Sequence, residues 1–169
     1  RFRKENIEVA TLTVWMFDTP EGAQESLNKL MDLSKQQLIQ VNDAAVVSWA
    51  VGKKKPKTQN YGSLTGQGAL SGAFWGMLFG LLFFVPVFGL VVGAAMGALS
   101  GKFADYGIND KFIKEVREKV TEGTSALFLM TSGAVQDRLV EAFQGVSMQL
   151  IESNLTSEQE AQLMEDFGG

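Results

Sequence analysis

The chain has 169 residues, a formal net charge of −4, no cysteine and no histidine. That is about one domain's worth of chain. Without cysteine there are no disulfides, thiolate metal sites or thiol catalysis. Without histidine the commonest general base and metal ligand is missing, so the sequence predicts no enzyme, no cofactor and no metal. The acidic balance offers no basis for nucleic-acid binding. Hydropathy is uneven: between Lys57 and Lys102 no residue is charged, whereas both flanks are ordinary charged sequence.

Residues 1–10 are charged and then strand-like, with no apolar core of a secretory signal. Residues 7–17 (IEVATLTVWMF) are β-branched and aromatic, and Leu12 and Val14 alternate with Thr11 and Thr13, which predicts a strand. Asp18-Thr19-Pro20-Glu21 reads as a helix start with a capping side chain, an early proline and an early acid. Ala23, Leu27, Leu30 and Met31 or Leu33 then recur at helical spacing to about Lys35. Residues 38–50 (LIQVNDAAVVSWA) return to strand character, so residues 1–52 form a β-α-β unit. Residues 51–61 read as a loop, overlapping a basic linker (53–65) that carries Lys53, Lys54, Lys55 and Lys57.

Residues 66–104 carry the strongest pattern. Gly68, Gly72, Gly76 and Gly80 stand four apart, and after Pro86 the spacing repeats as Gly89, Gly93, Gly97 and Gly101. Four-residue spacing places glycines on one helical face, where backbones can approach closely. Glycine costs about 1 kcal/mol per helical position against alanine, so close packing has to compensate. The expectation is a helical hairpin, a glycine zipper, with Phe74, Trp75, Leu78, Phe79, Leu81, Leu82 and Phe83 turned to lipid or an apolar partner. Arms of about 18 residues would reach roughly 27 Å, near the thickness of a bilayer's hydrocarbon core. The tip, Phe83-Phe84-Val85-Pro86-Val87-Phe88, has no polar side chain. A conventional two-pass loop fits that poorly, whereas a tip held in lipid or capped by neighbouring chains fits it well. Lys53, Lys54, Lys55, Lys57 and Lys102 flank the hairpin and suit anionic head groups on a cytoplasmic face.

Beyond it, Asn109 or Asp110 caps a helix with Phe112, Ile113, Val116 and Val120 on one side. Residues 124–131 (TSALFLMT) predict a central strand. Residues 132–143 predict a helix with Val135, Leu139, Val140 and Phe143 inward, and residues 146–153 a last strand. Thr156-Ser157-Glu158-Gln159 has the capping-box pattern of a terminal helix. Residues 105–169 thus hold a helix, a second β-α-β unit and a C-terminal helix. Two such units predict an α+β, ferredoxin-like fold, a four-stranded antiparallel sheet with the apolar hairpin inserted between its halves.

Several stretches together have a familiar cast: TLTVWMFDTPEGA (11–23), LIQVNDAAVVSW (38–49), KKKPKT (53–58), GALSGAFWGMLFG (68–80), FFVPVFGL (83–90) and GTSALFLMTS (123–132). In these the chain resembles, nearly throughout from Ala10 on, the bacterial DUF1269 family, whose members are often labelled predicted membrane proteins of unknown function. The resemblance implies membrane association and brings no catalytic residues. The expected protein is non-enzymatic, held at the bacterial inner membrane with its soluble domain on the cytoplasmic side, bound to lipid and self-assembled as a homo-oligomer. The alternatives are an oligomeric pore and a soluble, cytoplasmic homo-oligomer whose hairpins share a hydrophobic core or an apolar-ligand site.

Overall fold

The computed structural model describes residues 8–36, 41–62, 70, 72–84, 101–132, 136–143 and 148–167. The elements are β1 (Glu8–Phe17), α1 (Gly22–Lys35), β2 (Asp43–Ser48), β3 (Lys57–Gly62) and α2 (Gly72–Phe79), which continues as a π-helix over Gly80–Phe84. A short helical segment at 101–105 precedes α3 (Asp110–Lys119), β4 (Ser125–Ser132), α4 (Gln136–Ala142), β5 (Met148–Thr156) and α5 (Ser157–Phe167).

The sheet has five strands in the order β3-β2-β4-β1-β5, with every neighbouring pair antiparallel. The expectation of four strands is corrected here. The additional strand, KTQNYG, lies where a loop was expected. It is an edge strand with no apolar alternation, so the period-2 signal is absent. The all-apolar β4 is central as expected, between β2 and β1.

Side-chain alternation divides the core in two. Trp15, Phe17, Ala44, Val46, Leu127 and Leu129 face α1 and α4, meeting Ala23, Leu27, Leu30, Leu139 and Phe143. Leu12, Val14, Ala45, Val47, Phe128 and Met130 face the other way, meeting Phe74 and Trp75 of α2, Phe112, Ile113 and Val116 of α3, and Leu163 and Phe167 of α5. The arrangement is three-layered, helices on both faces of the sheet. Val140, expected inward, is 46% exposed, because α4 turns Leu139, Ala142 and the following Phe143 to the core. Val135 lies outside the described residues.

The helix starts differ in origin. Asn109 caps α3 through its side chain, which accepts from Phe112 N at 3.0 Å. Thr156 and Gln159 form the capping box of α5: Gln159 N donates to Thr156 Oγ1 and Thr156 N to Gln159 Oε1. At α1 the N-cap residue, Glu21, makes no side-chain capping bond. Ser125, at the start of β4, caps it from across the fold: its Oγ accepts from Ala23 N at 2.9 Å and donates to Thr19 O at 2.7 Å. Gly22 permits this close seating, since a Cβ there would lie 2.6 Å from Phe17 Cβ. Gly22→Ala is expected to cost about 1–3 kcal/mol through overpacking, read as a lowered denaturation midpoint with unchanged m-value.

Candidate functional site

The uncharged segment enters the sheet as β3, paired with β2, and its helical part is tied to the sheet by one buried acid. Asp43, at the start of β2, is 1% exposed, and among the described residues it is the one charged side chain in the core. Its Oδ2 accepts from Leu70 N at 2.6 Å and its Oδ1 from Trp75 Nε1 at 2.9 Å. Both donors belong to the uncharged segment, so the carboxylate fixes where α2 begins and how it is turned. Burial pushes the Asp43 carboxyl above its ordinary range, and the bonds from Trp75, Leu70 and Ala44 only partly offset this.

With α2 so oriented, its bulk faces the sheet. Phe74, Trp75, Leu78, Phe79, Leu81 and Leu82 are all buried. Trp75 stacks on Phe79 at 5.6 Å and meets Phe128 edge-on at 6.2 Å, and Phe79 meets Phe128 edge-on at 5.2 Å. Of the two expected surroundings, lipid or an apolar partner, these side chains have the second, and that partner is the protein's own sheet. Each buried large apolar side chain contributes roughly 1.5–3 kcal/mol. Eight residues of α-helix and five of π-helix must be ordered in exchange, at about 1–2 kcal/mol each. The two totals are of the same order, so the bonds to Asp43 weigh in deciding whether the arm stays docked.

The glycines of α2 face outward. Gly72 and Gly76 are exposed, Gly80 is half-buried and Gly101 is exposed. Among the described residues, a Cβ added at Gly76, Gly80 or Gly101 meets nothing within 4 Å, and at Gly72 it meets only Asn60 Nδ2 at 3.8 Å. Among the described residues no backbone closes on these four positions. Gly68, Gly89, Gly93 and Gly97 lie outside the described residues. At the tip, Phe83 is half-buried and packs edge-on against Trp49 at 6.2 Å. Phe84 ends the π-helix, and Val85, Pro86, Val87 and Phe88 lie outside the described residues. Among the described residues no helix is long and apolar enough to cross a membrane.

The lysines divide. Lys53, Lys54, Lys55 and Lys57 are exposed around the β2–β3 connection, where the turn is held by Trp49 Nε1 donating to Lys53 O at 2.8 Å. Lys102 lies apart, its ammonium 5.4 Å from the centre of the Phe167 ring. Beside it opens a cleft of about 620 Å³ lined by Asp105, Tyr106, Glu158, Gln159, Gln162 and Asp166, among others. Its polar groups largely satisfy one another: Tyr106 OH donates to Asp166 Oδ2 at 2.5 Å and Gln162 Nε2 to Asp166 Oδ1 at 3.2 Å. Burial and the neighbouring Asp166 carboxylate push the Tyr106 phenol upward, so it remains a hydrogen-bond donor. Among the described residues no group of three acids converges as a metal site.

Sequence reasoning found the glycine spacing but missed Asp43. Its only signal was an acid inside an otherwise apolar strand, NDAAVVS.

A family model described as "Protein of unknown function (DUF1269)" matches residues 69–168. No curated protein and no solved structure matches the chain.

Proposed function

The chain belongs to the DUF1269 family of proteins of unknown function, and on that footing we propose that it is a non-enzymatic, self-assembling, membrane-associated protein whose contact surface is the glycine face of α2. The observation that carries this reading is the outward turn of Gly72 and Gly76 on an arm whose bulky side chains are committed to the sheet. An exposed, uncharged stripe of small residues, Gly72, Ala73 and Gly76, suits close packing against another apolar helix. The uncharged run between Lys57 and Lys102 supports a lipid environment, and the exposed Lys53, Lys54, Lys55 and Lys57 suit anionic head groups on the cytoplasmic side of a bacterial inner membrane. We further infer that β5-β1-β4-β2 with α1 and α4 is a ferredoxin-like core. In this reading β3 and the second helical layer accompany the inserted segment, a division supported by the strand order.

A second reading is a detergent-free soluble homo-oligomer in which the uncharged segments share an apolar core. It is favoured by the burial of Phe74, Trp75, Leu78 and Phe79 on the protein's own sheet, which leaves no aromatic side of α2 for lipid. Vesicle flotation followed by a carbonate wash, together with light scattering of the detergent-free protein, separates the two. Co-flotation that survives the wash is the expected result. A large monodisperse particle that does not float favours the soluble assembly, and a non-floating monomer overturns both.

A further inference from the structure

We propose that Asp43 is a latch: it holds the root of the uncharged segment on the sheet in a docking that is reversible and that loosens as pH rises. This stands whether or not the segment meets a membrane.

The geometry is that of a clasp between two layers. One carboxylate oxygen takes the Leu70 N–H and the other the Trp75 indole N–H, so the first turn of α2 is bonded to β2 through a single side chain. The outer side of the arm is uncovered, with Gly72, Ala73, Gly76 and Met77 all exposed. Beside the carboxylate lies a cavity of about 270 Å³ walled by Leu70, Met130, Leu163 and Met164 and opening past Asn42 and Glu160. Among the described groups facing Asp43, β4 contributes Met130, the uncharged segment contributes no charge, and α5 contributes Glu160. Among the described residues Glu160 is the one other ionisable group lining this cavity, and no lysine or arginine lines it. A buried carboxylate without a cation is held by its hydrogen bonds against the cost of leaving water.

The sign of the pH effect follows from that balance. Undocked, Asp43 is solvated and titrates near its ordinary value of 3.8; docked, burial raises it. The docked state therefore holds the proton more tightly. Docking is strongest below the ordinary value, weakens as pH climbs toward the docked value, and is constant above that. Across the interval the docking constant falls by up to about tenfold per pH unit, the limit for one proton.

Hydrogen exchange of the full-length chain from about pH 4 to about pH 8, corrected for intrinsic exchange rates, tests this. The expected result is that amides of α2 and the following π-helix open separately from, and more often than, those of β1 and β4. Their opening constant should rise with pH and then level off. Trp75→Phe keeps an aromatic ring but removes one donor to the carboxylate, so the rise should start at the same pH and extend to higher pH before it levels off. Asp43→Asn should abolish the rise altogether. Exchange of arm and sheet as one unit at every pH overturns the latch. So does a pH trend that survives Asp43→Asn, or a Trp75→Phe profile that overlays the unaltered chain.

Discussion

Trp75→Ala is expected to be the most damaging single substitution in the second layer, lowering stability by about 3–5 kcal/mol, the range for truncating a buried aromatic. Two losses combine. The indole fills the space between Phe74, Phe79 and Phe128, at centroid distances of 5.0, 5.6 and 6.2 Å. Its Nε1 also supplies one of the two donors that hold Asp43, so truncation leaves a buried carboxylate oxygen without its partner. Since a domain's total stability is only about 5–15 kcal/mol, such a loss undocks the arm or unfolds the chain. Urea denaturation followed by circular dichroism gives the size of the effect. Trp49→Ala is the control: Trp49 is half-buried at the rim and meets only Phe83 among the described rings, so its loss should cost visibly less. Equal costs would mean that α2 is not held to the sheet by the Trp75 cluster.

What the sequence made legible follows the reach of each signal. Apolar patterns are local: the run TSALFLMT placed β4, the alternation of Leu12 and Val14 placed β1, and helical spacing placed α1 and α3, each of which buries one face against the sheet. Capping by Asn109 and by the Thr156–Gln159 pair is also local and was visible. The cap of α1 was not, because Ser125 stands 102 residues from Ala23. The edge strand β3 escaped because its burial is slight and its residues are polar. The glycine spacing was plain, but not which way it points. Spacing fixes that glycines share a face and leaves open whether that face or its opposite is buried. Asp43 settles it, a carboxylate at the start of β2 reaching residues 27 and 32 positions further along the chain.

That outcome changes how the uncharged segment relates to the rest of the fold. The described part of the segment belongs to the core: Phe74, Trp75, Leu78 and Phe79 share one cluster with Leu12, Val14, Phe128 and Met130. Removing the segment would strip one sheet face of its cover, exposing aromatic surface of the kind that drives association. A deletion of residues 66–104 would therefore test the core and the contact surface at once and could not separate them. Single substitutions on the outward face can.

Gly76→Leu makes that separation because its two expected effects have opposite signs. In the monomer, position 76 is exposed and an added Cβ meets no described residue within 4 Å, so leucine fits without a clash against the described residues. Replacing glycine inside a helix also removes a propensity penalty, so monomer stability should rise by about 0.5–1 kcal/mol. In the assembly, a branched side chain on the bare face holds two helices apart and forfeits the close backbone contact that the glycines allow. Self-association should weaken at least about tenfold, corresponding to about 1.4 kcal/mol. Thermal denaturation of dilute protein gives the first quantity, and sedimentation velocity across a concentration series gives the second. A variant that is more stable as a monomer yet assembles less identifies the glycine face as the contact. An unchanged sedimentation profile removes that face from the interface. A loss of monomer stability would mean that the face is already occupied within the chain.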